Sequence, residues 1–121
     1  MQYLLLIHDD EQNWLDLPGE EQRGVVEQYL ALTAALEERG AYVGSNRLAP
    51  TSTAATVRVR GREDAVVTDG PFAETKEQLG GYYLIDVETL DEALEWAARI
   101  PTARRGSVEV RPILPIPTRP A

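Results

Sequence analysis

Residues 3–7, YLLLI, constrain this chain more than any other stretch. Successive side chains of a strand point to opposite faces, so Tyr3, Leu5 and Ile7 line one face and Leu4 and Leu6 the other. A strand that is apolar on both faces belongs in the middle of a sheet with a cover on each side. The rest of the chain must supply its neighbours and its covers.

The downstream pattern supplies the neighbours. Pro18 suits the first turn of a helix, and Glu20 and Glu21 sit well at its positive end. Val25, Tyr29, Leu32 and Leu36 form one apolar stripe, and Gly40 provides a left-handed stop. A second strand is expected over 41–48, interrupted by Gly44 and the SNR that follows it. A hairpin is expected over 56–60 and 65–68, with Val57 and Val59 alternating against polar residues, and a further strand over 82–87. Thr89 with Glu92 forms a capping box that opens a helix ending near Pro101, with Leu90, Ala93, Leu94, Ala97 and Ile100 on its inner face. A last strand over 107–113 leads into a proline-rich tail, 115–121.

The order strand, long helix, strand with added hairpin, strand, helix, strand is that of an α+β, ferredoxin-like (split βαβ) antiparallel sheet with its helices on one face. Two helices cover one face only. Since the first strand is apolar on both, a second subunit is the economical cover for the other, and a homodimer is expected.

Composition narrows the function classes. At 121 residues the chain is the size of one ordinary domain, and 43% hydrophobic residues is a globular content. No apolar run approaches the roughly 20 residues of a membrane span, and nothing resembles a secretory signal, so no membrane partner and a cytoplasmic location are expected. The absence of cysteine removes disulfides, thiolate metal sites and cysteine nucleophiles. Net charge is −8, concentrated in residues 1–40, where nine acids face two arginines; with no basic stripe, direct nucleic-acid binding is not expected. Phosphate-loop, dinucleotide and nucleophile-elbow motifs are all missing, so no cofactor is implied.

The chemistry-bearing segment is DGPFAETKEQLGG, residues 69–81, ahead of the 82–87 strand. In the expected sheet that strand runs antiparallel to the first, which brings its beginning, and with it this loop, beside the single histidine, His8. His8 and Asp10 project on the Leu4 and Leu6 side, the loop contributes Asp69, Glu74, Lys76 and Glu77, and the last strand adds Glu109 and Arg111. His8 is the one side chain with an ordinary pKa near neutrality, and general acid or base work by His8 with Asp69 is the catalytic hypothesis. Asp10, Phe72, Glu74, Lys76, Tyr83 and Arg111 are the candidate ligand-binding residues, and Trp14, Tyr29, Phe72, Tyr82 and Tyr83 the candidate walls for a flat apolar ligand. Each has a structural alternative. Asp69-Gly70-Pro71 also makes a tight turn whose aspartate bonds nearby amides. Gly80 and Gly81 fit a bulge or a close backbone approach, and the aromatics also fit core or dimer contacts. At most His8 and Asp10 share a face of the strand, so no metal site is assigned.

The loop DGPFAETKEQLGGYYLIDV, with MQYLLLIHDDE before it and LDEALEWAARIP and GSVEVRPI after it, resembles the YCII-related family in its DGPF branch. The resemblance spans nearly the whole chain and implies a domain over 1–114 of the dimeric α+β barrel type, with a cleft at the dimer interface. It also implies a histidine–aspartate pair with the histidine on the first helix, and in some relatives action on ring compounds. The first helix here has no histidine, and Tyr29 occupies roughly that region. The function implied is binding of a small organic ligand by a homodimer, with acid/base, lyase-like activity. The alternative is a regulatory or protein-interaction module, in line with a genomic association of this branch with sigma factors.

Overall fold

The computed structural model describes residues 1–117. Of the proline-rich tail expected over 115–121, residues 118–121 lie outside the described residues. In chain order the elements are β1 (Gln2–Asp9), α1 (Glu11–Leu15), α2 (Gly19–Arg39), β2 (Tyr42–Arg47), β3 (Ala55–Arg58), β4 (Val66–Asp69), β5 (Gln78–Asp86), α3 (Leu90–Ala98) and β6 (Ser107–Pro112), with 3₁₀ turns at Thr51–Thr53 and Pro101–Arg104. The architecture is α+β. Four strands form an antiparallel sheet in the order β2-β5-β1-β6, and β3 and β4 form a separate two-stranded ribbon.

The doubly apolar strand is central, flanked by β5 and β6. Its Tyr3, Leu5 and Ile7 are buried together with Tyr83 and Ile85 of β5, Leu32 and Leu36 of α2, and Ala93, Trp96 and Ala97 of α3. Each fully buried leucine or isoleucine here contributes about 1.5–3 kcal/mol through removal of its surface from water. Leu4, Leu6 and Leu84 point away from both helices and are half-buried. Local signals place the helix ends. Gly40 adopts φ 77°, its N–H donates to the Glu37 carbonyl at 3.0 Å, and the Ala41 N–H reaches the Leu36 carbonyl at 2.9 Å. Those two bonds satisfy carbonyls that the end of α2 would otherwise leave open. At the start of α3 the Thr89 side chain accepts the Glu92 N–H at 3.2 Å.

Both readings of the paired glycines hold. Ile7 pairs with Gly81 and His8 with Leu79, so Gly80 is the extra residue of a bulge. Gly81 is buried, and a Cβ on it would stand 2.8 Å from the Asn46 carbonyl oxygen of β2. Because the bulge lets β5 continue backwards, the strand starts at Gln78 instead of residue 82.

Two expectations need correction. The inner face of α3 is Ala93, Trp96 and Ala97, with Ile100 just beyond, whereas Leu90 and Leu94 are each 47% exposed. Trp96 falls on the same 3–4 spaced stripe, and the bulkier ring takes the buried position. Second, Val57 and Val59 are exposed, because the β3–β4 ribbon pairs only with itself and stands off the main sheet. The stretch after β1, for which the sequence suggested no element, forms a one-turn helix, α1, capped by Asp10, whose carboxylate accepts the Gln12 N–H at 2.9 Å.

Candidate functional site

A cleft of about 530 Å³ opens on the helix-covered side of the sheet, between α1, the N-terminal half of α2, the end of β2 and the start of β5. Residues of β1 alternate, so Ile7 and Asp9 border this cleft while His8 faces the other way. Four aromatic side chains, Trp14, Tyr29, Tyr82 and Tyr83, are part of the lining. Tyr29 and Tyr83 lie nearly parallel, 5° apart with centroids at 6.4 Å, and Tyr42 meets Tyr83 edge-on from behind. Trp14 of α1 faces them from the mouth, and the Arg47 guanidinium sits 4.5 Å above its ring centroid.

The phenols are fixed by hydroxyl partners far away in sequence. Tyr29 Oη shares a hydrogen bond with Thr102 Oγ1 at 2.5 Å, and Tyr83 Oη one with Thr33 Oγ1 at 2.8 Å. Burial pushes both phenols above their ordinary pKa, with these hydrogen bonds opposing the shift. Both are therefore protonated at neutral pH and are donors and acceptors there, not bases. Among the acids at the cleft, Asp9 pairs with Arg105 at 3.1 Å and accepts the Asn13 amide at 2.8 Å. Both oxygens of Glu11 are taken by Thr51, through its N–H at 2.6 Å and its hydroxyl at 2.9 Å. The mouth is thus braced from α1 to the connection after β2.

The sequence-derived site residues divide among three places. Asp10 and Tyr83 border the cleft, with the flagged aromatics Trp14, Tyr29 and Tyr82. His8 and Arg111 lie on the opposite, helix-free face, with Glu109 between them: His8 Nε2 is 3.7 Å from one Glu109 oxygen, and Arg111 Nε is 3.9 Å from the other. Asp69, Phe72, Glu74 and Lys76 are exposed, at the end of the ribbon and on the loop that follows. Phe72, at 79% exposure, is no wall of the cleft.

The loop does reach β1, but by its far end. Ser107, the β6 partner of His8, donates its hydroxyl to Glu77 at 2.8 Å, while the Asp69 end is held by the ribbon. The turn there is closed by Gly70, at φ 95°, whose N–H reaches the Ala54 carbonyl at 2.6 Å and whose carbonyl accepts the Thr56 hydroxyl at 2.9 Å. Among the described residues the Asp69 carboxylate makes none of the amide bonds expected of it.

Sequence reasoning missed Arg47, Thr33, Thr102 and Asp9. The one available signal was the pairing of an isolated tryptophan with an arginine in a short strand, and it has meaning only once β2 and α1 are adjacent.

The fold and site define an α+β protein with an open sheet face and one aromatic cleft under its long helix. The match to the model of the YCII-related domain covers residues 1–117, and the chain belongs to that family. An uncharacterized protein of Rhizobium meliloti (strain 1021) is 44% identical over 115 residues, which covers 93% of this chain and 92% of the relative. Among the described residues no helix is long and apolar enough to cross a membrane.

Proposed function

We propose that the protein is a homodimer of the ferredoxin-like, dimeric α+β barrel type that binds a small organic ligand in the cleft beneath α2. The observation that carries the reading is the cleft itself. Its volume of about 530 Å³ suits a small molecule, and its walls are mostly apolar with a few fixed polar groups, the composition of ligand sites in general. The strand order β2-β5-β1-β6 supports the ferredoxin-like assignment, and the half-buried Leu4, Leu6 and Leu84 on a face without helices support a second copy as its cover.

Acid/base activity belongs to a different part of the molecule in this reading. His8 and Glu109 form the pair in which an imidazole meets a carboxylate, and they sit where two copies would meet. Proton transfer there requires a substrate bound between subunits. The regulatory alternative is favoured by one observation, the ribbon: Val57, Val67 and Phe72 are each more than 60% exposed on a segment that stands clear of the main sheet.

A thermal-shift screen of small metabolites, followed by turnover assays on the compounds that stabilise the protein, tests the reading. Binding without turnover, unchanged in His8→Asn, would leave a ligand-binding module. A fall in turnover of about 10²–10⁴-fold in His8→Asn with binding intact assigns proton transfer to His8. A screen without a single stabilising compound would contradict the ligand reading.

A further inference from the structure

The walls of the cleft are of two kinds. Ile7 and Tyr83 belong to the buried core, and Tyr29 of α2 packs against it, so the sheet and the long helix form a fixed side. The wall made by α1 is built differently. No residue of α1 is buried, and Leu15 is 57% exposed, yet Asp10, Glu11, Trp14 and Leu15 all border the cleft.

Polar contacts hold this wall in place. Gln78 of β5 accepts the Glu11 N–H at 2.9 Å, Asn13 donates to Asp9 at 2.8 Å, and Gln22 of α2 donates to the Trp14 carbonyl at 2.9 Å. The Arg47 guanidinium lies 4.5 Å from the centroid of the Trp14 ring. The Thr51 N–H and hydroxyl, at 2.6 and 2.9 Å, both bond the Glu11 carboxylate and tie α1 to the connection after β2, which borders the cleft through Leu48, Ala49 and Pro50. Each hydrogen bond contributes a small net free energy. A segment held by a few of them, with no buried side chain of its own, opens far more readily than a sheet whose core must come apart.

We propose that α1 is a movable wall of the cleft, latched by the Glu11–Thr51 bonds and released while the sheet stays folded. Asp10 at one end and residues 16–18 at the other are its hinges, because β1 and α2 on either side are anchored in the core. Release parts α1 from the connection after β2 and widens the mouth, and closure returns Trp14 to its place under Arg47. The use of the motion, admission of a ligand, rests on the ligand-binding reading above, whereas the motion itself does not.

Amide hydrogen exchange of the full chain, followed residue by residue by NMR with no added compound, tests it. The amides of Asn13, Asp16 and Leu17 bond the carbonyls of Asp10, Gln12 and Trp14. Scaled to their rates in an unstructured chain, they are expected to exchange about a hundredfold faster than those of Leu5 and Ile7, and without the urea dependence that β1 shows. Glu11→Gln, which loses the charge and one acceptor, should speed exchange of these amides about tenfold, the scale of one hydrogen bond to a charged group. The Thr51 amide should accelerate with them, while that of Glu63 at the ribbon tip, bonded to the Arg60 carbonyl, keeps its rate. Thr51→Val, which removes the hydroxyl and leaves the N–H, should give a smaller acceleration of the same amides. Exchange of the α1 amides only together with Leu5 and Ile7, at the same urea dependence, would overturn the proposal, as would rates unchanged in Glu11→Gln. If α1 opens alone and the metabolite screen yields no compound, the moving wall stands and the ligand reading fails. If it opens only with the sheet while a compound binds, the cleft stands with a rigid wall and this proposal fails.

Discussion

The two faces of the four-stranded sheet are built from alternate residues of the same strands, yet they end in different states. On the helix side Tyr3, Leu5, Ile7, Tyr83 and Ile85 are all buried, and the tyrosine hydroxyls at the cleft are bonded to threonines. On the other side Leu4, Leu6 and Leu84 are half-buried, and His8, Glu109 and Arg111 form a loose chain of polar side chains at 3.7 and 3.9 Å. Alternation of apolar residues therefore reports that both faces seek cover, whereas the chain's own helices supply one. The covered face already holds its polar groups in fixed positions, as a binding site needs. The open face has half-buried apolar side chains and weakly engaged polar groups, the features on which the proposed contact between copies rests.

Core truncation should separate the faces most. Leu5→Ala, on the helix side, is expected to cost about 2–5 kcal/mol in urea unfolding through lost burial and the cavity left behind. Leu4→Ala, one residue away, should cost about 1 kcal/mol in dilute protein, and its cost should grow with concentration as dimer formation buries the side chain. Equal, concentration-independent costs would remove the distinction between the faces.

Gly81→Ala comes next. Its new Cβ meets the Asn46 carbonyl oxygen, a backbone atom on the neighbouring strand, so β2 must move, at a cost of about 1–3 kcal/mol. Gly80, the bulge residue, has only an ordinary contact at 4.0 Å, and Gly80→Ala should cost less than half as much by the same denaturation.

The smallest expected effect lies in the pH dependence of the cleft. Tyr29 has its pKa raised above 10.0 by burial. Below pH 10 the phenol is protonated in folded and unfolded chains alike, and its contribution is fully present. As pH rises past 10 the unfolded phenol ionises first, the folded state binds more protons, and stability falls until the folded pKa is passed. Tyr29→Phe should lose about 1 kcal/mol at pH 8 with the Thr102 bond, and then show a shallower decline between pH 10 and 11 than the wild type. An identical alkaline slope in both proteins would place the tyrosine in water.

Much of the fold was legible because its determinants are local. Gly40, Thr89 with Glu92, and the Gly80-Gly81 pair act within a few residues of themselves, and the alternation in β1 needs no partner to be read. The inner face of α3 was misread because leucine and tryptophan both satisfy a helical stripe, and only the packed sheet decides which is buried. The valines of the ribbon alternate like those of a half-buried strand, and nothing within that segment tells that it lacks a sheet to lie on. In the site, Trp14, Tyr29, Tyr82 and Tyr83 were visible as aromatics, whereas Arg47 gains its role from α1, more than thirty residues earlier in the chain. Likewise Thr102 reaches Tyr29 across 73 positions, and Thr33 reaches Tyr83 across 50. His8 was found, but its nearest charged partner comes from β6, and no spacing along the chain points to Glu109 over Asp69.

The claim that the two faces have different occupants is tested most directly by two-dimensional ¹⁵N–¹H spectra of the full chain during titration with the first hit of the metabolite screen. The account predicts shifts at the Trp14 indole N–H and at the amides of Thr33, Arg47 and Tyr83, with those of Glu109 and Arg111 unmoved. Shifts confined to His8, Glu109, Arg111 or the Asp69–Phe72 turn, with Trp14 and Thr33 still, would place the ligand on the open face or the loop and contradict it.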